Sequence, residues 1–200
     1  MIDPSPALQK LAGARLKAFL QAAGPTQRPQ EDLYMVEPWA ILDQLEAVRA
    51  QTLTRLDALA QEQLDWRPPP TGTDEHPWSL GEIFMHIAID EHYLREHIAR
   101  PLLEGLRPPD GITFLPPPPP YGMPRAAIRF WLERARLMTR RLLENWPADA
   151  NLDLTHHGGF QEAMNGTQWL LAYARHEAFH HRQIDAVLGQ LGAQPGGQPE

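Results

Sequence analysis

The chain has 200 residues, 42% of them apolar, with a formal net charge of -7 and no cysteine. The length and composition favour one folded domain and argue against global disorder, while the acidic balance argues against nucleic acid or an anionic membrane as partner. Without cysteine, disulfide frameworks, thiolate-bound metals and cysteine nucleophiles are excluded, so any protein-bound transition metal must be held by histidine and carboxylate side chains.

The N-terminal segment lacks the basic start and continuous apolar core of a signal peptide. No apolar stretch approaches the ~20 residues that span a bilayer. These two features predict a cytoplasmic protein without a membrane partner.

The 21 prolines fall in clusters and leave long windows between them that are nearly free of proline. Because proline is confined to helix starts and connections, these windows predict helices. The sequence predicts an N-terminal extension, residues 1–37, with one short amphipathic helix over residues 6–23. The first strong window follows at residues 39–64, where apolar side chains recur every three or four residues, the helical period.

The second window begins at Ser79, which forms an S-x-x-E capping box with Glu82. Its apolar residues continue at the helical period until Pro101, where we expect the helix to stop. A long proline-rich loop, residues 107–124, follows, and its five consecutive prolines favour an extended polyproline conformation.

The third window starts near Pro124 and ends before Pro147, and the fourth covers residues 167–191 with Gly192 as the expected C-terminal cap. The tail, residues 193–200, is predicted to be disordered. Four long amphipathic windows without a strand pattern predict an all-α four-helix bundle over residues 38–192.

Six of the nine histidines lie in the second and fourth predicted helices. His176 and His180 are one helical turn apart, close enough to chelate one ion. His180 lies on the apolar stripe of the fourth helix, His176 borders it, and His86 has a similar position on the second helix. Because an unpartnered buried imidazole is costly, these three histidines are candidates to hold one divalent ion with open coordination positions. The alternative is that they are solvated or core histidines without a ligand.

The other helical histidines rank lower as ligands. His97 shares a face with His86 but lies ~16 Å further along the axis, and His92 and His181 point away from the apolar stripe and are predicted to be solvated. Asp90, Glu91 and Glu177 are candidates for orienting a ligand or transferring a proton, and Asp90, one turn after His86, is the best placed. The alternative for each of the three is an ordinary salt-bridge partner.

The stretch His176-Glu-Ala-Phe-His matches the H-E-x-x-H pattern of zinc proteases. Such a protease needs a third ligand downstream, where only Asp185 and Glu200 offer a carboxylate, and Gln183 stands where the longer motif has glycine. A zincin-type hydrolase is therefore the least favoured hypothesis.

Two stretches resemble the DinB/YfiT-like superfamily: EQLDWRPPPTGTDEHPWSLGEIFMHIAIDEHYL and HEAFHHRQIDAVLGQLG. The resemblance covers residues 38–192 and implies an up-down-down-up four-helix bundle that is often a homodimer. It also implies a metal site with one histidine from the second helix and two from the fourth, which fall on His86, His176 and His180. Members with known activity use the ion in the chemistry of small thiols. His181 stands where an arginine is common in the family.

Sequence and resemblance together predict a metal-dependent enzyme, with Asp90 and Glu177 as candidate catalytic residues. Its substrate is expected to be a small thiol or electrophile, as for a thiol S-transferase. The ion is expected to be zinc, nickel or iron, because imidazole suits all three. The alternative is a non-catalytic, stress-associated metal-binding protein.

Overall fold

The computed structural model describes residues 37–70, 77–109, 112, 118–158 and 163–193. Within these residues the protein is mostly helical, which confirms the predicted all-α class. The helices are α1 (Pro38–Asp57), α2 (Gln61–Asp65), α3 (Leu80–Leu94), α4 (Arg100–Leu103), α5 (Arg125–Glu144) and α6 (Gly166–Gly192). The predicted helix over residues 6–23 lies outside the described residues, as does the predicted disordered tail apart from residue 193.

The first predicted helix is broken in the structure, because α1 ends at Asp57 and the short α2 follows. Two side chains stabilise the break. Gln63 accepts a hydrogen bond from the Ala60 amide at 2.9 Å, and Arg125 of α5 donates to the Leu59 carbonyl at 2.8 Å. The sequence pattern did not reveal this break, because Leu59 in the turn is buried and continues the apolar period of α1.

The predicted capping box at the start of α3 is confirmed. The Ser79 hydroxyl accepts from the Glu82 amide at 3.2 Å, and the Glu82 carboxylate accepts from the Ser79 amide at 2.9 Å. Asn165 and Gln168 form the same reciprocal pair at the start of α6. Both long helices therefore have fixed N-terminal ends.

Pro101 does not stop the second predicted helix. A π-helical segment, Arg95–Ala99, continues α3, and α4 follows it with Pro101 inside its first turn. The Arg100 amide donates to the Arg95 carbonyl five residues back. This wider turn leaves room for the proline ring, which in a regular α-helix clashes with the carbonyl four residues earlier.

The four long helices pack on one another: α1 contacts α5 and α6, and α3 contacts the same two helices. Their shared interior is apolar at the positions that the helical period indicated, with further buried residues from α4. Its largest side chains are Trp169, Tyr173, Phe84, Ile41, Leu45, Leu56, Leu64, Leu80, Ile83, Ile87, Leu94 and Ile98.

Two short strands precede α6. β1 (Thr155–His156) pairs antiparallel with β2 (Met164–Asn165). Among the residues described, no helix combines the length and apolarity that a membrane crossing requires. At the end of the proline-rich loop, the Tyr121 hydroxyl donates to the Asp65 carbonyl at 2.9 Å, which ties the loop to α2.

Candidate metal centre

Four side chains from α3 and α6 converge in what we call the His/Asp cluster: His86, Asp90, His176 and His180. Each offers one ligand atom, and these atoms all lie within 4.8 Å of one another. The two members on each helix are one turn apart, and the two helices pack together, so local helical geometry and tertiary packing together assemble the cluster. The three predicted metal-ligand histidines thus lie side by side.

The nitrogen and oxygen atoms of the cluster face one another at short distances. Asp90 Oδ2 lies 3.1 Å from His86 Nε2 and 3.3 Å from His176 Nε2. His176 Nε2 lies 3.1 Å from His180 Nε2. Each histidine therefore directs its Nε2 atom to a common point.

The imidazoles of α6 are suited to bind a cation because they stay neutral. Burial lowers the pKa of His180 to about 4 and lowers the pKa of His176 well below its ordinary value. His180 Nδ1 donates a hydrogen bond to Gln183 Oε1 at 2.8 Å. With Nδ1 protonated, the lone pair of His180 is on Nε2 and points to the cluster. Gln183 thus orients one candidate ligand.

Asp90 is fully buried, and burial raises the pKa of its carboxyl group. Within the described part of the chain, neither carboxylate oxygen accepts a hydrogen bond. A buried carboxylate without a donor is costly, and a cation between it and the three Nε2 atoms would compensate it. The donor set of imidazole and carboxylate fits a divalent transition metal.

The cluster is not sealed from solvent. The side chains of His86 and His176 are each 12% exposed, whereas Asp90 is buried behind them. Trp78 packs against His86 with its ring centroid 4.6 Å away. An ion at this place would have a protein side and a side that a small molecule can reach.

Glu177, the other predicted catalytic residue, lies elsewhere. Its carboxylate accepts hydrogen bonds from Arg49, Arg136 and Thr52. These three partners lie on α1 and α5, and the same two arginines bind Glu91. The structure therefore brings Asp90 to the three histidines and places Glu177 in a separate buried ion-pair network.

The prediction that His181 is solvated is wrong. Its side chain is buried, and its Nε2 atom is 2.8 Å from the Thr52 hydroxyl of α1. His92 is exposed as predicted. His97 is also exposed, and it packs on Tyr93. His156, half-buried, is 2.8 Å from the Ile112 carbonyl, while His157 is exposed. His76 lies outside the described residues.

Sequence reasoning did not single out Arg49 and Arg136, both of which are buried in the interior. A signal was present, since Arg49 follows Leu45 by four residues and Arg136 follows Leu132 by four, which puts both on the apolar stripes of their helices. A long arginine side chain at such a place usually carries its charge out to water, which is why position alone did not reveal the network.

A family model described as the DinB superfamily matches residues 44–184, well over half of the chain. The match includes all four members of the His/Asp cluster and all four charged residues of the buried ion-pair network. No curated protein and no solved structure matches the chain.

Proposed function

The chain belongs to the DinB superfamily, and on that basis we propose that it holds one divalent transition-metal ion at His86, His176 and His180. We propose further that the ion serves an enzyme acting on a small thiol or electrophilic substrate. The bundle topology that goes with this proposal is up-down-down-up, the arrangement that the family resemblance implies.

The observation that carries the metal proposal is the convergence of four ligand atoms within 4.8 Å around a buried carboxylate. Three Nε2 atoms alone would give an all-imidazole site. The position of Asp90, 3.1 Å from His86 Nε2, supports a fourth ligand of opposite charge. Zinc, nickel and iron all accept this mixed donor set.

A divalent ion held by these residues would lower the pKa of a bound water or thiol and so supply a nucleophile at neutral pH. The residues around it have separate tasks. His180 is held by Gln183, and Asp90, as the fourth ligand, would offset one unit of the ion's charge. The partly exposed edges of His86 and His176 form the side from which substrate would approach.

The family resemblance supports a thiol substrate class. It also leaves a second candidate, a non-catalytic metal-binding protein. The same histidines would bind the ion in the enzyme and in the non-catalytic protein, so metal binding and turnover must be measured separately.

The first experiment measures metal content. Protein purified without chelator is analysed by elemental mass spectrometry, and protein stripped of metal is titrated with Zn²⁺, Ni²⁺ and Fe²⁺. We expect one ion per chain. His86→Ala should lose most of the bound metal, because it removes the ligand from α3. His97→Ala is the matched control on the same stretch of helix and should bind like the wild type. Full occupancy in His86→Ala would refute the shared site.

The second experiment measures turnover. The metal-loaded protein is assayed with a panel of cellular thiols and a chromogenic electrophile, beside the metal-free protein and His86→Ala. Metal-dependent thiol consumption that His86→Ala lacks is the expected result. A protein that binds one ion tightly and shows no turnover across the panel would instead support the non-catalytic candidate.

A further inference from the structure

Among the charged residues buried in the described part of the chain, four form an ion-pair network that we call the charged ring. Each long helix contributes one of them: Arg49 of α1, Glu91 of α3, Arg136 of α5 and Glu177 of α6. Each arginine bridges both glutamates. Arg49 lies 2.7 Å from Glu177 and 2.8 Å from Glu91. Arg136 lies 2.7 Å from Glu91 and 2.9 Å from Glu177. The ring is therefore closed and has no net charge.

The charged ring is also fixed to the backbone of neighbouring helices. Arg49 donates to the Leu132 carbonyl of α5, and Arg136 donates to the Leu45 carbonyl of α1. Tyr173 of α6 lies 3.2 Å from Arg49 and donates to the Ile87 carbonyl of α3 at 2.8 Å. Every long helix thus contributes a side chain to the network.

The four ring side chains are at most 4% exposed. Burial alone would raise the pKa of Glu177, but Arg49 and Arg136 outweigh that effect and lower it, so this carboxylate stays ionised. A buried network of this kind is weak support for stability, because removing charges from water costs about as much as their attraction returns. Such a network constrains the helices instead, because all four ion pairs form only when the four helices have the correct rotation and axial position.

The ring lies beside the His/Asp cluster along two helices. Glu91 directly follows Asp90 in α3, and Glu177 directly follows His176 in α6. Successive residues on an α-helix are separated by about 100° of rotation. Holding Glu91 and Glu177 therefore fixes the direction in which Asp90 and His176 leave their helices.

We infer that the charged ring is a positioning device for the metal centre, which sets the rotation of α3 and α6 so that Asp90 and His176 meet His86 and His180. The inference rests on the proposed function, because it concerns the same ion. Its four members are positioning residues and touch neither ion nor substrate. Losing such support typically weakens metal binding ~10- to 100-fold.

The test replaces the whole ring by apolar side chains of similar size: Arg49→Met, Glu91→Leu, Arg136→Met and Glu177→Leu together. Removing both signs of charge leaves no unpaired ion in the core, so the variant should fold with a melting temperature, measured in chelator, at or above that of the wild type. Its Kd for Zn²⁺ should rise ~10- to 100-fold. The d–d absorption spectrum of the Co²⁺-loaded variant should also change, because the ligand geometry is altered.

The matched control is a partly exposed ion pair that links α1 and α5, Glu46 and Arg140, which are 2.7 Å apart. Arg140→Met with Glu46→Leu should keep both the Zn²⁺ affinity and the Co²⁺ spectrum. A wild type that binds no metal would sink the proposed function itself. A wild type and a ring variant with equal affinity would overturn the positioning inference alone.

If the fourfold variant does not fold, the single variant Arg136→Lys tests the positioning inference instead. Lysine keeps the charge but cannot span Glu91, Glu177 and the Leu45 carbonyl at once. We expect a folded protein with weakened Zn²⁺ binding and an altered Co²⁺ spectrum. Wild-type affinity in folded Arg136→Lys would overturn the inference.

Discussion

At the scale of single residues, His180 and His181 show how strongly the surroundings of neighbouring side chains differ. His180 joins the His/Asp cluster, whereas His181 binds Thr52 of α1. The sequence placed His181 off the apolar stripe, and from that position solvent exposure was a reasonable prediction. It failed because α6 is covered by α1 on one side and by α3 on another. Hydrophobic periodicity marks the main buried face of a helix and misses a second, more polar one.

Asp90→Asn should have opposite effects on the metal-free and metal-bound protein. Without metal, the change removes a buried carboxylate that lacks a donor among the described residues, and the new amide can donate to a neighbouring Nε2. The free energy of unfolding in chelator should rise by about 1 kcal/mol or more. With Zn²⁺, the variant loses a charged ligand, and each tenfold loss of affinity removes about 1.4 kcal/mol of ligand stabilisation.

Thermal unfolding with chelator and with excess Zn²⁺ measures both effects of Asp90→Asn. If Asp90 were only a bystander, the zinc-induced increase in melting temperature would equal that of the wild type, and the role of fourth ligand would have to be abandoned.

His181→Ala should lower stability without removing the ion. The substitution deletes one hydrogen-bond partner of the buried Thr52 hydroxyl, which still donates to Glu177. The free energy of unfolding should fall by about 0.5–1.5 kcal/mol, while one Zn²⁺ per chain is retained. His157→Ala, at an exposed position, serves as the control and should change stability by less than about 0.5 kcal/mol. Urea denaturation measures the two changes in stability, and a zinc titration measures the number of ions bound per chain. Loss of the ion in His181→Ala would mean that the ligand set has been misassigned.

At the scale of helices, the sequence predicted the long elements well and their interruptions badly. Proline clusters and the apolar period located α1, α3, α5 and α6, and the capping box located the start of α3. The break after Asp57 depends on Arg125, which is distant in sequence, and the π-helical segment before Pro101 has no periodic signal. Such features are determined by tertiary contacts, so local patterns cannot reveal them.

Two glycines of α6 should respond to alanine in opposite directions. A Cβ atom at Gly166 would lie 2.6 Å from the Leu103 side chain and 2.8 Å from the Ala99 carbonyl. The backbone of the π-helical segment cannot move away alone, so Gly166→Ala should destabilise the protein by about 1–3 kcal/mol. At Gly189 a Cβ would have no atom within 4 Å among the described residues, and alanine should stabilise the helix by up to ~1 kcal/mol. Chemical denaturation of both variants tests the pair, and equal effects would contradict the close packing at Gly166.

At the scale of the whole molecule, the family resemblance implies that the protein self-associates. Helix α5 exposes three large apolar side chains: Phe130 is 55% exposed, Trp131 47% and Leu137 41%. The rings of Phe130 and Trp131 are in contact, with centroids 5.5 Å apart, and a contiguous exposed apolar patch is typical of a protein interface. We propose that the exposed side of α5 around these two rings forms the contact between two copies.

Sedimentation velocity tests the proposed dimer. The wild type should sediment as a dimer, and Phe130→Glu with Trp131→Glu should sediment as a monomer, because two carboxylates would be buried in the contact. Trp39→Glu is the control, since Trp39 is 66% exposed but lies at the start of α1. A wild type that is monomeric at high concentration would contradict the dimer, and a dimeric double variant would move the interface to another face.

The closed charged ring also restricts how the sequence can change over time. Replacing any one of its four members by a neutral residue leaves an unbalanced charge in the interior, a change that typically costs 3–5 kcal/mol. Replacing one arginine together with one glutamate leaves a neutral pair. We therefore expect homologues to carry neutral residues at none, two or all four of the positions 49, 91, 136 and 177, with as many arginines lost as glutamates. Four positions spread over more than a hundred residues of chain should then evolve as a single coupled unit.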